Sequence, residues 1–305
     1  MPLCAGCGKE ASREDMFGAG DDLRCAECAH RTRRKYAPAP VRRRWDAPPR
    51  VSLTLVVLAV AVFLLGGIQD AKFGLEFLWA TPGHVWNGEI WRLWTTTLVH
   101  GNLMHLAFNC YALWILGGAV EGSMGHWRFL AFVLAIAGGA HGAEFLAAPK
   151  TAVGLSGVVF GVFGYLWALR RYKDFARQAL SDDVVVQFVA WFFLCIVLTA
   201  LNVLPVANVA HGAGAALGYA IGWATLQKHD RLAIGALLAL GLALPFATQR
   251  MVWNRRYQDY RVLVAQYGPQ AAEWEEGIHQ VRRLQNEVRK RAPVNQNAIE
   301  IGEGD

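Results

Sequence analysis

The chain has 305 residues, a formal net charge of +6, 54% hydrophobic residues and only 18% charged ones, with a mean hydropathy of +0.23. Soluble domains carry about 25% charge and roughly 45–50% apolar residues, so this balance excludes disordered, collagen-like and coiled-coil chains and points to a polytopic membrane protein.

The first residues form a module of their own. CAGC and CAEC place Cys4, Cys7, Cys25 and Cys28 in two knuckles, and Gly6, Gly8, Gly18 and Gly20 supply turn residues. Two such chelating turns joined by a short hairpin suit a tetrahedral structural zinc. Disulfides are disfavoured in a reducing cytoplasm, and a thioredoxin-like redox pair needs a βαβ unit too large for this module. Residues 1–35 therefore read as a zinc-ribbon-like module. Residues 36–50, with four prolines and four arginines, read as a stiff linker against anionic headgroups. The polar, cysteine-rich start does not resemble a cleavable signal peptide.

Hydrophobic segments follow at Val51 to Ile68, Leu98 to Val120, Phe129 to Ala148 and Thr151 to Leu169. The run from Val184 to Gln227 has no charged residue and is long enough for two spans of about 20 residues, with Asn202 and Pro205 suited to the turn between them. A seventh segment runs from Leu232 to Gln249. Lys and Arg concentrate before the first segment and in alternate loops, which places the N-terminus in the cytoplasm. A crossing seventh segment sends Arg250, Arg255, Arg256 and Arg261 outside, against that rule. The alternative is a segment that dips in without spanning; crossing is preferred. Cys110 and Cys195 read as packing residues. In the tail, Trp274, Ile278, Val281, Leu284 and Val288 make an amphipathic stripe for a surface, a partner or its own chain, and residues from Asn295 onward read as disordered.

The chemistry comes from polar residues in three apolar segments. The second, fourth and sixth segments enter from the same face, and His105 with Asn109, Ser156, and His211 all fall about one to two helical turns in. His105 and Asn109 are four apart and share a face. Gly157, Gly161 and Gly164, with Gly214, Gly218 and Gly222, allow the fourth and sixth helices to touch by their backbones. A serine hydroxyl becomes nucleophilic when a neighbouring imidazole takes its proton. Asn109, His105 and the Ser156 amide are donors for the resulting oxyanion, each contributing about 3 kcal/mol. A zinc metalloprotease needs HExxH, which is absent, and the GxGD match at Gly18 to Asp21 lies in the cysteine module. His141 and Glu144 read as a structural pair rather than a metal pair, and His100 as an interfacial residue.

Trp91–Arg92, HGNLMHLAFN from His100 to Asn109, LGGAVEG around Glu121, GLSG with Gly154, Ser156 and Gly157, and AHGAGAALG with His211 together resemble the rhomboid intramembrane serine proteases, from roughly Glu89 to Trp223. The resemblance implies an all-α polytopic fold with a six-helix core at 51–226, a seventh transmembrane helix at 227–250 and a polar tail at 251–305. It implies a Ser156–His211 dyad without an acid, an oxyanion hole of His105 and Asn109, a partly embedded loop bearing Trp91 and Arg92, and Glu121 as a tie between helices. Phe160 stands where some members carry a tyrosine against the base. The expected activity is endopeptidase cleavage of transmembrane segments of membrane proteins near the outer face of a bacterial inner membrane. No catalytic cofactor and no nucleic-acid partner are expected. A non-catalytic relative that binds membrane clients is the alternative, and intact Ser156 and His211 speak against it. A transporter would call for repeated halves, and none is visible.

Overall fold

The computed structural model describes residues 3–10, 16–17, 23–25, 27–28, 49–67, 75–150, 152–227 and 230–268. The chain divides into two compact units, Met1–Pro48 and Pro49–Asp305. In the first, β1 (Met16–Phe17) pairs antiparallel with β2 (Arg24–Cys25), and a bridge joins Leu3 to Glu10. The amphipathic stripe and the residues from Asn295 onward lie outside the described residues, as does nearly all of the linker.

The second unit is helical. Seven long helices follow one another among the described residues: α1 (Arg50–Gly67), α2 (Leu103–Met124), α3 (His126–Ala147), α4 (Ser156–Leu169), α5 (Asp182–Ala200), α6 (Asn208–Ala224) and α7 (Asp230–Ala247). An eighth, α8 (Arg255–Tyr267), comes after them. By length and composition α2, α3, α5 and residues 231–250 can each cross a bilayer, and α1 and α4 are shorter apolar helices.

Local signals set the boundaries. Asn102 caps α2 by accepting from His105 N at 2.9 Å, and Asn254 caps α8 through Arg256 N and Tyr257 N. Gly125, at φ 87°, breaks the chain between α2 and α3, and Asn202, at φ 55°, turns it between α5 and α6. Two starts differ from the sequence expectation. The second helix begins at Leu103 rather than Leu98, because the Asn102 cap comes after a separate 3-10 turn at Thr96–Leu98. The fourth begins at Ser156 rather than Thr151, because Gly154, at φ 107°, holds the preceding residues out of helical conformation. Ser156 is thus the first residue of its helix, not a turn or two inside it.

Helices α3, α4 and α6 form the centre. A Cβ on Gly214 would lie 2.2 Å from Gly157 O, and one on Gly218 only 1.9 Å from Gly161 O. These glycines bring α4 and α6 into backbone contact, the arrangement that small-xxx-small ridges permit between membrane helices. Phe129, Phe132, Ile136, Val158, Phe163 and Leu166 fill the space around them. Helix α7 docks on α3 in the same manner, since a Cβ on Gly241 would meet Ala135 O at 2.4 Å. Helix α5 stands at the periphery with Val186, Trp191, Phe193 and Leu194 exposed, a surface suited to lipid tails and not to water.

The seventh helix packs along α3 and also contacts α6. Beyond it, Gln249 Nε2 donates to Val85 O at 2.6 Å, and Tyr257 and Tyr260 of α8 pack on Trp86. The tail helix therefore lies at the end where α2, α4 and α6 begin, against the loop between α1 and α2.

Candidate active site and four-cysteine cluster

The polar residues of α2, α4 and α6 converge where those helices begin. His211, in the first turns of α6, points Nε2 at Ser156 Oγ, 2.8 Å away. Gly157 and Gly214 make this possible, since a methyl at Gly214 would push the two helices apart one turn from the pair. Phe160 stacks on the imidazole with ring centroids 4.5 Å apart and planes 23° from parallel. His211 Nδ1 is buried with no hydrogen-bond partner among the described residues. Among the described residues no carboxylate bonds this imidazole.

The segment before Ser156 is pinned on both sides. Gly154 N donates to Thr96 O at 3.1 Å, and Thr96 Oγ1 donates to Ala152 O at 2.6 Å. On the other side Gly154 presses on α2: a Cβ there would lie 2.8 Å from His105 Nε2 and 3.6 Å from Asn109 Nδ2. His105 and Asn109 therefore flank the backbone that leads into the serine. Asn109 is 1% exposed, yet its Nδ2 has no partner among the described residues. A buried amide donor left open costs about 1–3 kcal/mol, so its presence beside Ser156 calls for a physical reason.

The loop bearing Trp91 and Arg92 sits at the same end. Trp91 is half exposed. Arg92 is buried, donating from Nε to Glu89 Oε2 at 2.6 Å and from Nη1 to Trp79 O at 3.1 Å. Trp94 Nε1 ties the loop to α3 through Leu134 O at 2.9 Å. Glu121 lies apart, near the C-terminal end of α2. It accepts from Val51 N at 2.8 Å, Ser52 N at 2.9 Å and Ser52 Oγ at 2.8 Å, and pairs with His126 Nδ1 at 2.5 Å.

Sequence reasoning gives two residues here no part in the site, reading His100 as interfacial and Glu144 as paired with His141. His100 is 6% exposed, donates from Nδ1 to Leu98 O and accepts from Leu155 N, propping the residue before Ser156. Its place in one motif with His105 was the available signal. Glu144 is buried too, an ionisable group in an apolar helix.

In the amino-terminal unit the four Sγ atoms of Cys4, Cys7, Cys25 and Cys28 lie within 4.8 Å of one another. Cys7 and Cys25 are 3.8 Å apart, about the edge of a tetrahedron with Zn–S near 2.3 Å. Cys25 N and Gly6 N donate to Cys4 Sγ at 3.2 and 3.4 Å. The Cys25 amide chiefly lowers the Cys4 thiol to about 6, while the hydrogen bond with Cys7, then desolvation, raises Cys28 to about 12. Four thiols this close cannot all ionise without a cation among them, and the donor set fits zinc.

Comparison with known proteins finds similarity over the part of the chain that holds Ser156 and His211. The Rhomboid domain matches residues 87–228. The chain is 30% identical over 211 residues to rhomboid protease GluP of Bacillus subtilis (strain 168), covering 66% of this chain and 40% of that protein. It is 29% identical over 181 residues to rhomboid protease GlpG of Pectobacterium atrosepticum, covering 58% and 64% respectively. GlpG of an Enterobacter species is 28% identical over 199 residues, 63% of this chain and 68% of that one. The chain thus spans less than two thirds of the length of the first two relatives.

Proposed function

From the premise that this integral membrane protein carries a rhomboid domain, we propose that it is an intramembrane serine endopeptidase acting through a Ser156–His211 dyad. The observation that carries the reading is the 2.8 Å contact between His211 Nε2 and Ser156 Oγ. Nε2 accepts the hydroxyl proton as Oγ attacks the scissile carbonyl, and returns it to the departing amine. Water then releases the acyl group from Ser156 by the same exchange. Nδ1 meets no carboxylate among the described residues, so the stacked Phe160 and the packing of α6 hold the ring. Asn109 Nδ2, His105 and the Ser156 N–H, free as the first residue of its helix, supply donors to the oxyanion.

The remaining residues take supporting roles. Gly154 lets the loop approach His105 and Asn109, and Gly157 admits α6. Trp91 and Arg92 belong to a loop that roofs the site, and Glu121 ties α1 to α2. The distribution of Lys and Arg favours a cytoplasmic N-terminus, with the site near the outer face, and the membrane is read as a bacterial inner membrane. Substrates are transmembrane segments of other membrane proteins, favoured where small or helix-breaking residues let the chain unwind. Zinc bound by Cys4, Cys7, Cys25 and Cys28 would stabilise the fold of the 1–35 module and take no part in the reaction.

Purified wild type and Ser156→Ala are compared on a transmembrane model substrate and with a serine-reactive phosphonate. Wild type is expected to cleave and to be labelled, and the variant to do neither. Equal cleavage by both would end the protease reading and favour a client-binding relative.

A further inference from the structure

Helix α6 begins at Asn208 behind Ala207, which has no side chain able to cap it. The N–H groups of a first helical turn lack intrahelical acceptors, and in α6 this turn leads straight into His211. One of these donors is met from another helix. Glu144 Oε2, on α3, accepts from Ala210 N at 3.0 Å. Glu144 is 2% exposed, and its Oε1 lies 3.0 Å from Lys150 Nζ in the loop ahead of α4. The neighbouring Pro149 O accepts from Arg256 Nη1 of α8 at 2.8 Å. A series of contacts thus runs from the tail helix through the loop and Glu144 to the residue before His211.

We propose that Glu144, anchored by Lys150, is a positioning residue for His211: it caps α6 from α3 and fixes the rotation of the turn that aims Nε2 at Ser156 Oγ. Gly214 and Gly218 set the separation of α4 and α6 but lie beyond His211 in the chain; at the helix start the Asn208 side chain ties to Thr199 of α5, while Glu144 meets a backbone N–H of the first turn itself. A carboxylate at this position also complements the positive end of α6. Glu121 does the same for α1 at the other end of the bundle, meeting Val51 N and Ser52 N. His141, three residues before Glu144, bonds Ala137 O in its own helix and leaves Glu144 to α6.

The inference rests on the Ser156–His211 reading, and its test separates the two. Phosphonate labelling rates, kcat and KM on the transmembrane substrate are measured for full-length wild type, Glu144→Ala, Glu144→Gln and Lys150→Met, each first shown to be folded by its unfolding midpoint. Glu144→Ala is expected to lose at least tenfold in labelling rate and in kcat with KM unchanged. Glu144→Gln, which keeps an oxygen for Ala210 N, is expected within threefold of wild type, and Lys150→Met to fall between them. Labelling of Glu144→Ala at the wild-type rate, or a Glu144→Gln variant as impaired as Glu144→Ala, would overturn the proposal. Should Glu144→Ala not fold, Lys150→Met decides: a loss of about threefold in labelling supports the positioning role, and none overturns it. Failure of wild type itself to be labelled would instead strike the protease reading.

Discussion

Two buried polar clusters, one at each end of the helical bundle, are satisfied to different degrees. At one end Glu121 is enclosed, and its carboxylate is met by two backbone amides, the Ser52 hydroxyl and His126. At the other, Asn109 Nδ2 and His211 Nδ1 are as well buried and have no partner among the described residues. A saturated cluster holds helices together, since every desolvated group has recovered what it lost. An unsaturated one keeps donors in reserve, a standing cost that makes sense beside a hydroxyl and an imidazole already in contact. The contrast separates polar groups whose bonding is complete from those left without a partner beside Ser156 and His211.

Substitutions at the two ends should therefore move different observables. The largest effect on chemistry after loss of Ser156 or His211 is expected from Asn109→Ala, which should slow phosphonate labelling by about 10²-fold. Its unfolding free energy should change by less than about 1 kcal/mol, because the lost donor had no partner to forfeit. Destabilisation comparable to that of a broken buried pair would place Asn109 with Glu121 and erase the distinction. Glu121→Ala should show the reverse, a loss of about 3 kcal/mol in an unfolding titration from the orphaned amides of α1 and the unpaired His126. The folded fraction should label within about threefold of wild type. The smallest effect on labelling is expected from stripping metal from the amino-terminal cysteines. Chelation or Cys4→Ser should release one equivalent of zinc, read by elemental analysis, and leave the labelling rate of the membrane unit unchanged. Freshly purified protein with well under one equivalent would argue against the zinc assignment.

Much of this contrast was legible before any coordinates. Seven apolar segments, the Asn202 turn and the glycine ridges could be read because hydrophobic runs and small-residue spacing are local properties of the chain. Ser156, His211, His105 and Asn109 stood out as polar groups in apolar surroundings. Helix starts were less legible. The beginnings of α2 and α4 depend on the Asn102 cap and on the positive φ of Gly154, and Gly154 adopts it while its backbone is hydrogen-bonded to Thr96 and pressed against His105. Glu144 had been paired with His141 by spacing along one helix, whereas its partners are Ala210 and Lys150. Nothing in the spacing of α3 could reveal a donor on α6.

Composition and pattern alone determined that the chain is a membrane protein, which polar residues stand in its apolar segments, and that four cysteines cluster in a separate unit. Each of these follows from the cost of placing polar groups in lipid or from the reach of two adjacent residues. Only the tertiary structure decided that Ser156 opens its helix, that His211 meets it through glycine-to-backbone contact, and that α8 lies beside the same loop as the site. Those outcomes depend on which donors and surfaces remain unsatisfied once neighbouring helices have packed, a balance struck between segments far apart in the chain.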